Sequence, residues 1–166
     1  GSTVSFAMEC FEKGILTTDD TGGLELRFGN GDAMIQLIEM IAKREGLGEV
    51  LAEGSKAAAE KIGRGAEDLA IHVKGLDLPM HEPRVKQVLG LTYAIEAHGA
   101  DHCAGLHDTL VVEEGPGIET MRSLGHYEPL PLNDLSARKV AMAKTQHALK
   151  HFGDSIGCCS MPPWSL

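Results

Sequence analysis

The sequence predicts an all-α protein of helical layers joined by loop-rich connections. Three observations carry that expectation. Apolar residues recur at the 3.6-residue spacing in several separate stretches, as in Met34, Leu37, Ile38 and Ile41. Glycines stand where such stretches stop, at Gly14, Gly46 and Gly63. Extended readings are confined to short pieces such as Leu24–Phe28 and Ala66–Val73. With 166 residues and 43% hydrophobic content, the chain is long enough for one domain or two small lobes. Aromatic residues make up only 4%, so Leu, Ile, Val, Ala and Met must build the core.

The elements follow in order. Thr3–Lys13 reads as a helix with Val4, Ala7, Met8 and Phe11 on one face and Gly14 after its end. TTDDTGGLELRFGNG is turn-rich, with one short extended piece expected at Leu24–Phe28. A second helix is expected over 32–45, capped by Asn30 or Asp32. Residues 48–62, including the alanine-rich SKAAAEKI, read as one helix stopped by Gly63. Ala66–Val73 fits helix or strand. Pro79 and Pro83 hold GLDLPMHEPR extended. A further helix is expected over 84–97. Residues 99–132 are broken by glycine and proline, with a short helix expected over 118–124. The last helix opens at Asn133 or Asp134 and runs over 134–152, with Leu135, Val140, Ala143, Leu149 and Phe152 as its apolar side.

Charge and cysteine usage narrow the function. A net charge of −9 argues against binding to nucleic acid or an acidic membrane surface. No apolar run approaches the ~20 residues of a membrane-spanning helix. GSTVSFAMEC lacks the basic start of a signal peptide. The four cysteines, Cys10, Cys103, Cys158 and Cys159, do not resemble a secreted disulfide framework. A bridge between the adjacent Cys158 and Cys159 would be strained, because neighbouring Cα atoms lie about 3.8 Å apart. A reducing cytoplasm is therefore expected.

Several clusters bear on chemistry. His98 and His102 are four residues apart, as are His147 and His151, a spacing that puts both rings on one helix face. Such pairs alone are weak metal signals, and a solvated or core-satisfied role is the plainer reading of each. LPMHEPR sets His81, Glu82 and Arg84 in a rigid segment, where the last two can form a surface ion pair. GADH at 99–102 follows a helix among small residues, where backbone can approach a ligand. DSIGCC at 154–159 places two thiols at a helix exit. One can serve as a small hydrophobe, while the other faces outward to a metal or cluster.

Together, FAMECFEKG, GLELRFGN, HVKGLDLPMHEPR, GLTYAIEAHGADH and the closing DSIGCC resemble the tungsten-containing aldehyde:ferredoxin oxidoreductases, along the whole chain. The resemblance implies the family's helical domains only, with 1–75 in the first and 76–166 in the second, truncated at both ends. It implies tungsten, or molybdenum, held by the dithiolenes of two pyranopterins, with a [4Fe-4S] cluster beside it. The family's D-x-x-G-L-C pattern falls on Asp154, Gly157 and Cys159, which would contact a pterin and supply one cluster ligand. Cys158 stands where leucine is usual, which leaves open which of the two thiols the cluster takes. The family's Gly-Ala-x-His pattern makes His102 the residue that assists proton transfer.

The implied reaction oxidises an aldehyde to a carboxylic acid, with ferredoxin as electron acceptor. The implied partner within the parent chain is an N-terminal pterin-binding domain, and three further cluster cysteines are expected there. The isolated chain is accordingly expected to be inactive and to hold no cofactor. The competing readings are a non-catalytic helical module, a zinc-binding helical protein using His98, His102 and Cys103, or a relative acting on aromatic thioesters of the benzoyl-CoA type.

Overall fold

The computed structural model describes residues 1–158, so Cys159 and all that follows lie outside it. The described chain is predominantly helical, as expected, and among the described residues β-structure is confined to one two-stranded hairpin. It divides into two compact units, Gly1–Met80 and His81–Leu166.

The first unit begins with α1 (Ser2–Glu12), whose Val4, Phe6, Ala7, Met8 and Cys10 are buried. Gly14, in the left-handed region at φ +72°, lies just past its end. Leu24–Phe28 is not a strand but irregular chain, held by Glu12 accepting from Phe28 N and by Thr21 Oγ1 donating to the Leu24 carbonyl. Helix α2 (Gly31–Lys43) takes Asn30 as its cap, with Asn30 Oδ1 accepting from Ala33 N at 3.2 Å. It ends earlier than Gly46, with Arg44 in the left-handed region. Its buried face is Ala33 and Leu37, whereas Met34, Ile35 and Ile38 remain exposed.

The expected single helix over 48–62 is two helices, α3 (Leu47–Leu51) and α4 (Ser55–Ile62). Gly54 separates them at φ +89°. The α2–α3 corner is close enough that a Cβ on Gly48 would lie 2.2 Å from the Met40 carbonyl, so only glycine fits there. After a 3-10 turn at Ala66–Leu69 the chain forms β1 (His72–Val73) and β2 (Leu76–Asp77), paired antiparallel with His72 opposite Asp77. Lys74 and Gly75 both have positive φ, the backbone of a two-residue type I′ turn.

That hairpin brings Asp77 to the start of α4. Ser55 Oγ donates to Asp77 Oδ1 at 2.5 Å, and Thr3 Oγ1 donates to Oδ2 at 2.9 Å. A carboxylate thus sits against the positive end of a helix and ties α1 and α4 to the hairpin. The core of this unit is Leu16, Leu26, Leu37, Leu47, Leu51, Ala58 and Ala59 with the buried face of α1.

The second unit contains α5 (Gln87–Ile95), α6 (Pro116–Ser123) and α7 (Ala137–Ser155), with a 3-10 turn at Asp108–Leu110. Its core gathers Val88, Leu106, Val111, Ile118, Met121, Leu130, Met142 and Ala143. Helix α7 starts at Ser136, which accepts from Lys139 N, while Asp134 Oδ1 accepts from Ser136 N at 2.6 Å. Its buried residues are Lys139, Met142 and Ala143. Leu135, Val140, Leu149 and Phe152, expected on the apolar side, are exposed. The helix turns toward the core by its charged Lys139, because a carboxylate waits there. Lys139 Nζ lies 3.0 Å from Asp108 Oδ1, both side chains wholly buried, and donates to the Pro131 carbonyl at 2.6 Å. The other oxygen of Asp108 accepts from Leu89 N at 3.1 Å, fastening the start of α5 to the same pair.

Candidate functional site

Helix α7 ends in a Schellman cap formed by the DSIGC stretch. Cys158 N donates to the Gly153 carbonyl at 2.9 Å and Gly157 N to the Asp154 carbonyl at 3.1 Å. The motif needs a left-handed residue at Gly157, whose φ is +74°. Asp154 lies in the last helical turn and is exposed. An acid here opposes the helix dipole, which favours cations at a C-terminus, and α7 has no basic residue in its last turn.

Of the two thiols, one of which is expected to serve as a small hydrophobe, Cys158 is exposed. Gly157 is left-handed, and Cys158 follows it beyond the helix end, tied by its N–H to the Gly153 carbonyl. The cluster-ligand expectation for Cys159 falls outside the described residues.

His102 belongs to the loop after α5, where it meets two histidines from other parts of the unit. Its ring centroid is 4.8 Å from that of His81 and 5.7 Å from that of His107. His81 and His107 meet edge-on at 4.7 Å. His107 Nε2 donates to the His102 carbonyl at 2.8 Å, which leaves Nδ1 to face Lys86 Nζ at 3.5 Å. Lys86 Nζ also lies 3.3 Å from His81 Nδ1. Burial first, and then the Lys86 ammonium, push the pKa of both His81 and His107 below the ordinary histidine value. These two rings are therefore neutral supports around His102. The loop is tightly packed at Gly105, where a Cβ would lie 2.3 Å from Thr92 Oγ1.

Beside this cluster, His102 Nε2 is 3.6 Å from Cys103 Sγ, and Asp101 Oδ1 accepts from Cys103 N at 2.7 Å. The side chains of Asp101, His102 and Cys103 converge closely enough to share an ion. His98, expected with His102 and Cys103 in a zinc set, turns instead to Asp101 Oδ2 at 3.1 Å and Glu96 Oε1 at 3.4 Å. Residues 98–102 are not helical, so the four-residue spacing does not align His98 with His102. Glu82 and Arg84 form the expected exposed ion pair, with Arg84 Nε 2.8 Å from Glu82 Oε1.

The second unit thus carries a histidine packed between two further histidine rings after GAD, and a glycine-capped helix end at DSIGC. Residues 1–165 match the family model described as aldehyde ferredoxin oxidoreductase, domains 2 and 3. The chain belongs to the aldehyde ferredoxin oxidoreductase family.

The tungsten-containing aldehyde ferredoxin oxidoreductase of Pyrococcus furiosus is 34% identical over 167 residues, covering 100% of this chain and 26% of that protein. The enzyme of the same name from Thermococcus kodakarensis is also 34% identical, with the same coverage. An aliphatic sulfonate oxidoreductase, WOR-like subunit, of Pyrococcus furiosus is 37% identical over 108 residues, 61% of this chain and 17% of that one. Among solved structures, the active site complex BamBC of benzoyl coenzyme A reductase with 1,5-dienoyl-CoA covers 84% of this chain and 21% of its own. Its TM-score is 0.47, at 26% identity. The chain spans about a quarter of the length of the aldehyde oxidoreductases it matches (26%). None of the helices among the described residues is long and apolar enough to cross a membrane.

Proposed function

We propose that this chain supplies the helical side of a tungsten–pterin site that oxidises aldehydes to carboxylic acids and passes the electrons to ferredoxin. The overall change is R–CHO + H2O → R–COOH + 2 H+ + 2 e−. Family membership and the names of the full-length relatives support the reaction class. The observation within the chain that carries the reading is the end of α7. There an exposed Asp154 stands against the helix dipole, beside the left-handed turn at Gly157. A position that breaks a local stability rule is where a binding function is to be sought.

In this reading the Asp154 carboxylate accepts hydrogen bonds from the amine groups of one pterin, and Gly157 lets the backbone pass close to it. Cys159, the next thiol along, ligates the [4Fe-4S] cluster, with the remaining ligands supplied from outside this chain. The tungsten–pterin group supplies the two-electron redox chemistry when bound. His102 takes a proton from the reacting substrate or water, a general-base role. The neutral His81 and His107 hold its ring, and His107 fixes its backbone, so that its orientation does not depend on substrate.

The test uses the full-length parent enzyme carrying His102→Asn. Loss of a general base costs roughly 10²–10⁴-fold in rate. A fall of at least ~100-fold in kcat, with tungsten and iron content unchanged, is expected. Full activity in the variant would remove His102 from the reaction. Asp154→Ala should lower tungsten content, and retention of a full complement would remove Asp154 from pterin binding.

A further inference from the structure

Near the end of α7, and joined to Asp101 through His98, lies a second arrangement of metal-ligating side chains. Helix α7 presents His147 and His151 one turn apart on the same face, with ring centroids 4.3 Å apart. The residue that terminates α5, Glu96, faces both. Its Oε2 lies 3.4 Å from His147 Nε2 and 3.3 Å from His151 Nε2, and the two Nε2 atoms lie 2.5 Å from each other. The Glu96 side chain is only 3% exposed, whereas those of His147 and His151 are 26% and 44% exposed. A carboxylate is thus fixed in the protein, and the open side of the set is formed by imidazoles that solvent ions can reach.

We propose that Glu96, His147 and His151 form a binding site for a divalent first-row transition ion, with zinc the ion that best suits the ligand set. The geometry can be checked against what such an ion requires. Tetrahedral ligands at about 2.0–2.1 Å from zinc lie roughly 3.3 Å from one another. Two of the three sides of this triangle, at 3.3 and 3.4 Å, already have that length. The third, at 2.5 Å, is the hydrogen bond between the imidazoles and must open by about 0.8 Å, within reach of side-chain rotation alone.

Binding moves the proton of this hydrogen bond from Nε2 to Nδ1 of the donating ring, since each ligating nitrogen must present a lone pair. Two imidazoles with one carboxylate select zinc-like ions over calcium or magnesium, which take oxygen ligands. Three protein ligands leave a position for water. The ion would clip the C-terminus of α5 to the C-terminal half of α7, adding stability to the folded unit that grows with the logarithm of its concentration above Kd.

The site is independent of the tungsten–pterin reading, and its test needs neither cofactor nor activity. Zn2+ and Co2+ are titrated into the metal-free 166-residue chain, with bound metal counted and the zinc form examined by X-ray absorption. One equivalent should bind, with nitrogen and oxygen neighbours near 2.0–2.2 Å and no sulfur at 2.3 Å. Loss of an outer partner of a metal site costs about 10–100-fold in affinity, so loss of a direct ligand should cost at least about 100-fold. His151→Gln and His147→Gln, which keep helix-compatible side chains on α7, should each weaken zinc by that factor and leave the helical circular dichroism unchanged. Cys103→Ser and His102→Asn should leave affinity unaltered. The proposal is overturned by no stoichiometric binding, by sulfur in the first shell, or by affinity that follows Cys103 and His102 rather than His147 and His151.

Discussion

Replacing Lys139 by methionine tests the account of how the second unit is held together. Lys139 and Asp108 are both wholly buried and 3.0 Å apart, and each makes further bonds that join separate segments. Methionine has a similar length and is apolar, so it fills the space of the lysine stem but leaves the Asp108 carboxylate buried without its cation. Removing one partner of a buried ion pair typically costs 3–5 kcal/mol, chiefly the desolvation of the charge left behind. At about 2–4 °C per kcal/mol for a chain of this size, the midpoint of thermal unfolding should fall by roughly 6–20 °C. Asp108→Asn in the same chain removes the stranded charge while keeping an acceptor for Leu89 N, so the double variant should recover at least about 2 kcal/mol of the loss. Denaturant unfolding, followed by circular dichroism and by Tyr127 or Tyr93 fluorescence, reads both variants. Strictly additive effects, or a loss below about 1 kcal/mol for Lys139→Met, would refute the claim that a buried charge pair organises this unit.

Two further outcomes follow from the cited proton affinities. His81 and His107 have pKa values below 6.5 in the folded chain, so between their folded values and about 6.5 the unfolded chain binds more protons. Stability should therefore rise with pH up to about 6.5 and then flatten as far as these groups are concerned. The slope should be shallower in His107→Gln, and an identical slope in both proteins would contradict the burial of the ring. Burial, aided by the neighbouring Glu9, pushes the Cys10 thiol up to about 11, so native Cys10 should resist iodoacetamide at pH 8 while the exposed Cys158 reacts. Mass-spectrometric mapping that found Cys10 alkylated as fast as Cys158 would place α1 outside the core.

What could be read from the sequence was what is local. Asn30 as a cap, Gly14 and Gly63 as stops, and the apolar period of α1 depend on residues within a few positions of one another, and each stands as expected. The break falls at positive-φ Gly54, and the new helix start after it is met by Asp77 from 22 positions downstream. An alanine-rich run gives no hint of that carboxylate, so residues 48–62 read as continuous. The hairpin at Lys74–Gly75 was equally hidden, since its strands are two residues each and show no alternation.

The apolar side expected for α7 failed for a related reason, because periodicity assigns lysine to solvent. Asp108, thirty-one positions earlier, and the carbonyl of Pro131 compensate the buried Lys139 ammonium. His102 could be singled out by resemblance, but not its setting. The rings of His81 and His107 and the ammonium of Lys86 come from separate segments, and no spacing announces their meeting. The same holds for Glu96, which gives the His147–His151 pair its third donor across half of the second unit.

The end of α7 joins these strands of the argument. Gly157 meets the need of the Schellman cap for a left-handed residue, and close backbone is also what the proposed pterin contact would use. The glycine alone therefore argues for neither. Asp154 separates them, because a cap does not need an acid and the helix dipole is better served by a neutral or basic side chain. If structure were the only demand, Asp154→Asn would be a mild improvement worth about 0.3–1 kcal/mol. Asp154 is exposed in the last turn of α7, where the helix dipole disfavours an acid, and the cap itself makes no use of its carboxylate. Asp154, rather than the glycine, is thus the residue of this turn that the cap leaves unexplained, and the Asp154→Ala variant of the parent enzyme is where the proposed pterin contact stands or falls.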